Sequence, residues 1–357
     1  MPKFRTEALR AIGCELFEAA GCSPEDASVV VAHLVESSLF GLDSHGTIRY
    51  YEYVQAILEG RFNPGASPKV VRERPCTAVV DAGGALGQVG ATFATHLAMG
   101  KARQHGVATV ALRNTSHIGR VGAYPLMAAR EGMIGLIFVN AGREGYKVAP
   151  FGGAEGRLST NPIGFSAPRR DADPILVDMT TSVVADGKIR VAINMGKSIP
   201  EGWAIDANGA LTTDPGKVRG EAPQGALLPM GGVVAHKGYA LSLVVEFLAG
   251  ALSGQGCASP SRQMVSNGVF LTVYNIEHFV EPDDYYDEVE ALIRHAKSSR
   301  PATGFEEILL PGEPEFRLAT RLEAEGIVVD ETTWKKICNE ARALGIDTSR
   351  WHALEGK

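Results

Sequence analysis

Charged and apolar residues alternate at helical spacing through residues 4–40, which predicts two amphipathic helices broken at "GCSPEDA". At that break Ser23 caps the second helix, Pro24 takes its first position, and Glu25 and Asp26 suit its positive end. A third helix, "TIRYYEYVQAILEG", stops at Gly60. The pattern then changes period. "ASPKVVRERPCTAVVDAGG" and "GVATVALRNTSH" mix β-branched with turn residues and predict strands, as do the short runs "MIGLIFVNA", "PILVDMTTS" and "GVFLTVYNI". "GAYPLMAAREG", "YYDEVEALIRHAKSS" and most of "TRLEAEGIVVDETTWKKICNEARALGI" predict helices, and "YALSLVVEFLAGALSG" a buried helix around Glu246. The order is helices, a mixed α/β body, then helices again.

At 357 residues the chain exceeds what one hydrophobic core usually serves, so one large or two interleaved domains are expected. Net charge changes the picture only by exclusion: at −6, with Lys and Arg dispersed among Asp and Glu, no basic stripe for nucleic acid exists. The five cysteines are odd in number, widely spaced and without C-x-x-C, and read as cytoplasmic thiols. The N-terminus lacks the uninterrupted apolar stretch of a signal peptide. The most apolar segment carries Glu246 and is short for a membrane span, so neither a membrane nor an export route is expected.

The 41 glycines invite a search for a dinucleotide fingerprint, but G-x-G-x-x-G does not occur. "MGKS" at 195–198 mimics the end of a phosphate loop, yet Val191 stands where its leading glycine is needed. H-E-x-x-H is absent and the nine histidines show no local metal-ligand spacing, so no metal is expected.

Chemistry concentrates in a few stretches. In "GLDSHGTIRY", Ser44 or Thr47 can cap the third helix, and the plain alternative is a capped helix with a solvated arginine. Against it, His45, Arg49 and Tyr53 are spaced by four. A guanidinium fork at a helix N-terminus suits a carboxylate, and an imidazole beside it suits proton exchange with a hydroxyl or oxo group. His117 in "NTSHIGRVGAY" is a second such imidazole, or a satisfied turn histidine. Asp178 ends a strand followed by three hydroxyl residues, a natural edge for a ligand or a plain cap. Lys188 and Lys237 border glycine-bearing loops, where a lysine is either a surface residue or a phosphate contact. Glu246, if buried, needs a partner.

Together, "GLDSHGTIRY", "NTSHIGRVGAY", "STNPIGFSAP", "DMTTSVVADGKI", "LLPMGGVVAHKGYALSLVVEFLAGALSG" and "LPGEPE" resemble, in order and over nearly the whole chain, the non-Rossmann malate/L-lactate dehydrogenase family. That family also includes sulfolactate and ureidoglycolate dehydrogenases, diketogulonate reductase and cyclic imino-acid reductases. The resemblance implies an α/β (α+β) fold with a mixed β-sheet NAD(P)-binding body packed with N- and C-terminal helices, and a homodimer. It implies residues 1–72 with 305–357 as a helical domain interleaved with a cofactor-binding domain over 73–304. It makes His45 or His117 the acid-base group, with Ser44, Arg49 and Tyr53 on the substrate. The implied cofactor residues are Asn140, the run Asp178, Met179, Thr180, Thr181, Ser182, then His236, Lys237 and the turn Pro311, Gly312, Glu313. Ala240 stands where many members have glycine, and "AGREGYKVAPFGG", with Arg143, Tyr146 and Lys147, has no family counterpart that we can assign.

The expected activity is hydride transfer between NAD or NADP and a small 2-hydroxy or 2-oxo acid. The alternatives are reduction of a cyclic imine carboxylate and a non-catalytic protein that binds organic acids.

Overall fold

The computed structural model describes residues 1–141, 146–220, 224–259 and 266–352; Arg143 lies outside them. A short strand β1 (Lys3–Phe4) leads into α1 (Thr6–Ala19) and α2 (Pro24–Leu39), and Ser23 accepts the Asp26 amide as expected of the cap. After one 3-10 turn (Asp43–His45) comes α3 (Arg49–Leu58). These helices bury Leu9, Ile12, Leu16, Val30, Leu34, Tyr50 and Val54 against one another, and Tyr50 donates its hydroxyl to the Leu9 carbonyl at 3.0 Å.

The body follows: β2 (Lys69–Arg74), β3 (Thr77–Asp81), α4 (Gly87–His105), β4 (Val107–Thr115), α5 (Ala123–Arg130), β5 (Met133–Asn140), β6 (Ile163–Arg169) and β7 (Ala172–Met179). Next come α6 (Asp186–Asn194), β8 (Ala204–Ile205), β9 (Leu211–Thr212), α7 (Gly216–Arg219), β10 (Ala226–Leu227) and α8 (His236–Val245), which runs into a π-helical segment, Glu246–Leu252. The chain ends with β11 (Asn267–Asn275), α9 (Pro282–Lys297), α10 (Glu313–Glu325), β12 (Ile327–Val328), α11 (Glu331–Ala343) and α12 (Ser349–His352).

Seven strands form one mixed sheet in the order β2-β3-β4-β11-β5-β6-β7. Only β3 and β4 run parallel, and α4 is the crossover that a parallel pair requires. Ala91, Ala94, Ala98 and Ala102 let α4 lie close on the sheet. The sequence reading had no helix here, because an alanine-rich face carries little hydrophobic periodicity. β11, late in the chain, enters between β4 and β5 and pairs antiparallel with both. β8, β9 and β10 make a small separate sheet, and β1 pairs with β12. The mixed-sheet expectation is borne out. The helix around Glu246 is buried on one side only: Glu246 is 3% exposed, whereas Phe247 and Leu252 are 62% and 61% exposed.

Candidate active site

Neither Ser44 nor Thr47 caps α3, contrary to expectation: the helix begins after Ile48 with no side-chain cap. The segment is held from below instead. Ser38 of α2 accepts the Thr47 amide at 3.0 Å, and a Cβ at Gly46 would fall 2.2 Å from the Ser38 hydroxyl oxygen, so only glycine follows His45. His45, the last residue of the 3-10 turn, is partly exposed.

The His117 loop joins β4 to α5 and is pinned on several sides. Asn267 of β11 accepts the Ile118 amide at 3.0 Å, His33 of α2 accepts the Arg120 amide through Nε2 at 2.9 Å, and Asp178 accepts the Gly122 amide at 2.8 Å. The two histidines meet face to face, with ring centroids 5.3 Å apart and planes 15° from parallel. Tyr53, buried on α3, reaches His117 Nδ1 with its hydroxyl at 2.6 Å and accepts from Gln88 at 3.2 Å. The three residues picked out by spacing therefore do converge, with the second histidine between them.

Electrostatics keep both rings neutral. Burial first, then Arg49, Arg120 and Arg190, push His45 down to about 3. Burial and Arg49 hold His117 well below the usual imidazole range. Burial likewise raises the Tyr53 phenol to about 12, so it stays protonated. His45 Nδ1 is buried without a partner. Arg49 donates Nε to the Ser44 carbonyl at 2.6 Å and pairs through Nη1 with Glu52. A ligand carboxylate is therefore left the outer end of the fork.

Three of the four segments expected to hold the cofactor come together at the edge of the sheet. The Met230 amide donates to the Thr181 carbonyl at 2.9 Å, which joins the run 178–182 to the loop before α8. The Leu176 amide donates to the Pro311 carbonyl at 3.1 Å, which brings in the turn 311–313. Within these segments Asp178, Met179, His236, Lys237 and Pro311 are exposed, while Thr181, Ser182 and Gly312 are buried. Thr180, Thr181 and Ser182 donate their hydroxyls to backbone carbonyls. Glu313 is committed to Lys297, Arg317 and the Leu310 amide; burial raises its carboxyl, but these partners outweigh that and hold it at about 2. Asn140 stands apart: it is fully buried, its amide nitrogen donates to Glu246 and the Gly256 carbonyl, and its amide oxygen accepts from the Gly268 backbone. Lys147 is partly exposed, as is Tyr146, whose hydroxyl accepts the Ser259 amide.

A cavity of about 670 Å³ opens elsewhere, between α2, α5 and α10, lined by His33, Glu36, Tyr124, Arg130 and Phe316 among others. It includes neither His45, Arg49 nor His117, and the acid-base chemistry directs attention to the histidine pair instead.

The chain matches the malate/L-lactate dehydrogenase family over residues 4–338. It belongs to that family. It is 40% identical to a malate dehydrogenase of Pyrococcus horikoshii over 92% of this chain and 91% of the relative. The solved sulfolactate dehydrogenase of Methanocaldococcus jannaschii superimposes with a TM-score of 0.87 at 34% identity, covering 98% and 99% of the two chains. A delta1-piperideine-2-carboxylate reductase of Pseudomonas syringae superimposes at 0.83 with 30% identity, covering 96% and 100%. As a member, this chain is a hydroxy-acid dehydrogenase, which implies a nicotinamide cofactor.

The residues present fit that group. α8 opens with no side-chain cap, and Lys237 is exposed on its first turn, a donor set suited to phosphate. The partly exposed Thr180 and the exposed Asp178 lie on the same edge. Among the described residues no group of His, Cys, Asp or Glu is arranged to hold a metal, and no helix is long and apolar enough to cross a membrane. Sequence reasoning missed Gln88, Arg120, Arg190 and Glu52, all of which act on the histidines or on Arg49. Arg120 stands inside a quoted motif and Glu52 is three residues from Arg49, signals that were there to use, whereas no local motif marks Gln88 or Arg190, whose relevance is created by packing.

Proposed function

We propose that this chain interconverts a small 2-hydroxy acid and its 2-oxo acid with NAD or NADP, using His117 as proton carrier. The observation that carries this is the 2.6 Å contact between Tyr53 and His117 Nδ1, beside a stacked His45 and Arg49. With Nδ1–H donating to the Tyr53 oxygen, His117 is held in the tautomer whose unprotonated Nε2 faces the substrate. The low proton affinity of both rings keeps them unprotonated at neutral pH, so a ring nitrogen is open to the hydroxyl proton, and the base gains strength only when its surroundings raise that affinity. Arg49 takes the substrate carboxylate on the outer end of its fork and Ser44 lies beside it. His45 stacks against His117 and bounds the reacting carbon from the other side. The bound nicotinamide supplies the hydride acceptor and, in reverse, the donor. Burial is the larger cause of the depressed His117 value, and a carboxylate on Arg49 offsets the second, so substrate binding raises the ring's proton affinity in part when the reverse reaction needs it.

The test follows NADH and NADPH absorbance with oxaloacetate, pyruvate, sulfopyruvate and a cyclic imine carboxylate. Turnover of 2-oxo acids is expected; turnover of the imine alone overturns the reading. For the proton carrier, His117→Asn should lose about 10²- to 10⁴-fold in kcat. His45→Asn should lose much less, and the reverse order moves the role to His45.

We also infer a homodimer. Val244, Phe247 and Leu252 are 40%, 62% and 61% exposed along the outer side of one continuous helical segment, an apolar surface that supports a partner copy. Light scattering should give twice the chain mass, and Phe247→Glu should shift it toward the monomer.

A further inference from the structure

α6 has been invoked so far only through the charge of Arg190 on His45, yet it is fixed against the substrate loop. Asp186 anchors its first turn by accepting two bonds from Arg219, at 2.9 and 2.6 Å, and Ile189 is fully buried. At Gly187 an added Cβ would stand 3.2 Å from the Ser44 Cβ, so this turn lies directly on Ser44. Arg190 follows three residues later on the same helix face. Its Nη1 is 3.8 Å from one oxygen of Glu52, whose other oxygen pairs with Arg49.

One carboxylate thus stands between two guanidiniums. The Arg190 contact is too long for a hydrogen bond, and its side chain is 37% exposed, so its donors remain available on the open side of the site. A substrate with a single carboxylate uses Arg49 and leaves Arg190 half-paired. A substrate with a second acid group on the adjacent carbon can meet both arginines, because the two guanidiniums face the two oxygens of one carboxylate, Glu52.

We propose that Arg190 reads a second anionic group, carboxylate or sulfonate, on carbon 3 of the substrate, and selects dianionic 2-hydroxy acids over lactate-like monoanions. This rests on the 2-oxo acid reading above and adds a named specificity residue to it. Oxaloacetate and pyruvate differ only in that group, and both are achiral at the reacting carbon.

The experiment compares kcat/KM for oxaloacetate, sulfopyruvate and pyruvate in the wild type, Arg190→Gln and Arg190→Lys. The wild type is expected to prefer both dianions. Arg190→Gln should lower the oxaloacetate-to-pyruvate ratio at least tenfold, and Arg190→Lys should fall between, since it keeps the charge without the planar fork. A purely structural role for Arg190 would move both substrates together and leave the ratio unchanged. A ratio within twofold of wild type in Arg190→Gln, or a wild type that prefers pyruvate, overturns the proposal while the 2-oxo acid reading stands. A wild type that reduces only the cyclic imine overturns both.

Discussion

Two imidazoles stacked 5.3 Å apart beside Arg49 cannot both carry a proton cheaply, so the site admits at most one at a time. The acid limb of the oxidation rate follows from this. Arg49 depresses the ring, so replacing it raises the ring's proton affinity. In Arg49→Met the acid limb of the pH profile should therefore move to higher pH, with KM for the acid increased. Arg49→Lys should keep the limb near its wild-type place yet still weaken substrate binding, because the charge remains and the fork is lost. An unchanged KM in both variants would make Arg49 structural. Tyr53→Phe isolates the orienting bond: stability should drop by about 0.5–1.5 kcal/mol, as for one buried hydrogen bond, while kcat falls more than KM changes. At this scale the sequence was legible wherever spacing carried the signal, as for His45, Arg49 and Tyr53. It was silent on Gln88 and Arg190, which come from elements distant in sequence.

Elements turn these residues into a site, and one side chain joins several of them. Glu246 begins the π-helical segment and accepts from Asn140 at the end of β5, from Asn161, and from the Ala258 amide. It is the partner question raised by the sequence, answered by amides and not by an arginine. Asn140 in turn binds the start of β11, so the helix is bonded to the two central strands by one carboxylate. Glu246→Gln replaces an acceptor by a donor facing other donors and should cost about 1–3 kcal/mol. Glu246→Leu strands them all and should cost more, read as the urea midpoint. Equal stability in the two variants would mean that shape, and not the hydrogen bonds, is what the position requires. Helix starts show the same limit of local reading. Ser23 was identifiable because its own neighbours complete the cap, whereas the entry to α3 is fixed by Ser38 on another helix, which no local pattern encodes.

Across the whole molecule, the mixed sheet was foreseen from the family resemblance, but strand order was not. β11 pairs with β4 and β5 from far along the chain, and β1 closes on β12, pairings that alternation in one segment cannot specify. That long-range packing has a measurable consequence, because it draws three histidines out of bulk water near arginines, His33 buried and His45 and His117 partly exposed. His33 has its proton affinity pushed well down by burial and Arg120, as have His45 and His117 by burial and Arg49. Below pH 6.5 the unfolded chain binds protons at these positions and the folded chain does not. Stability is therefore present in full above the unfolded value and is lost as pH falls toward the folded values, about 3 for His45. Each such histidine contributes at most about 1.4 kcal/mol per pH unit in that window. Paired carboxylates such as Glu36 and Glu313, whose folded values are also lowered, add further loss only below the ordinary carboxylate range. Urea unfolding between pH 8 and 4.5 should thus show a plateau, then a decline beginning near pH 6.5. His33→Gln keeps an acceptor for the Arg120 amide but cannot titrate, so it should lower the plateau slightly and make the decline shallower by up to one proton. A flat profile down to pH 5 would mean that the three rings titrate normally in the folded protein, and the neutral histidine pair on which the mechanism depends would be lost with it.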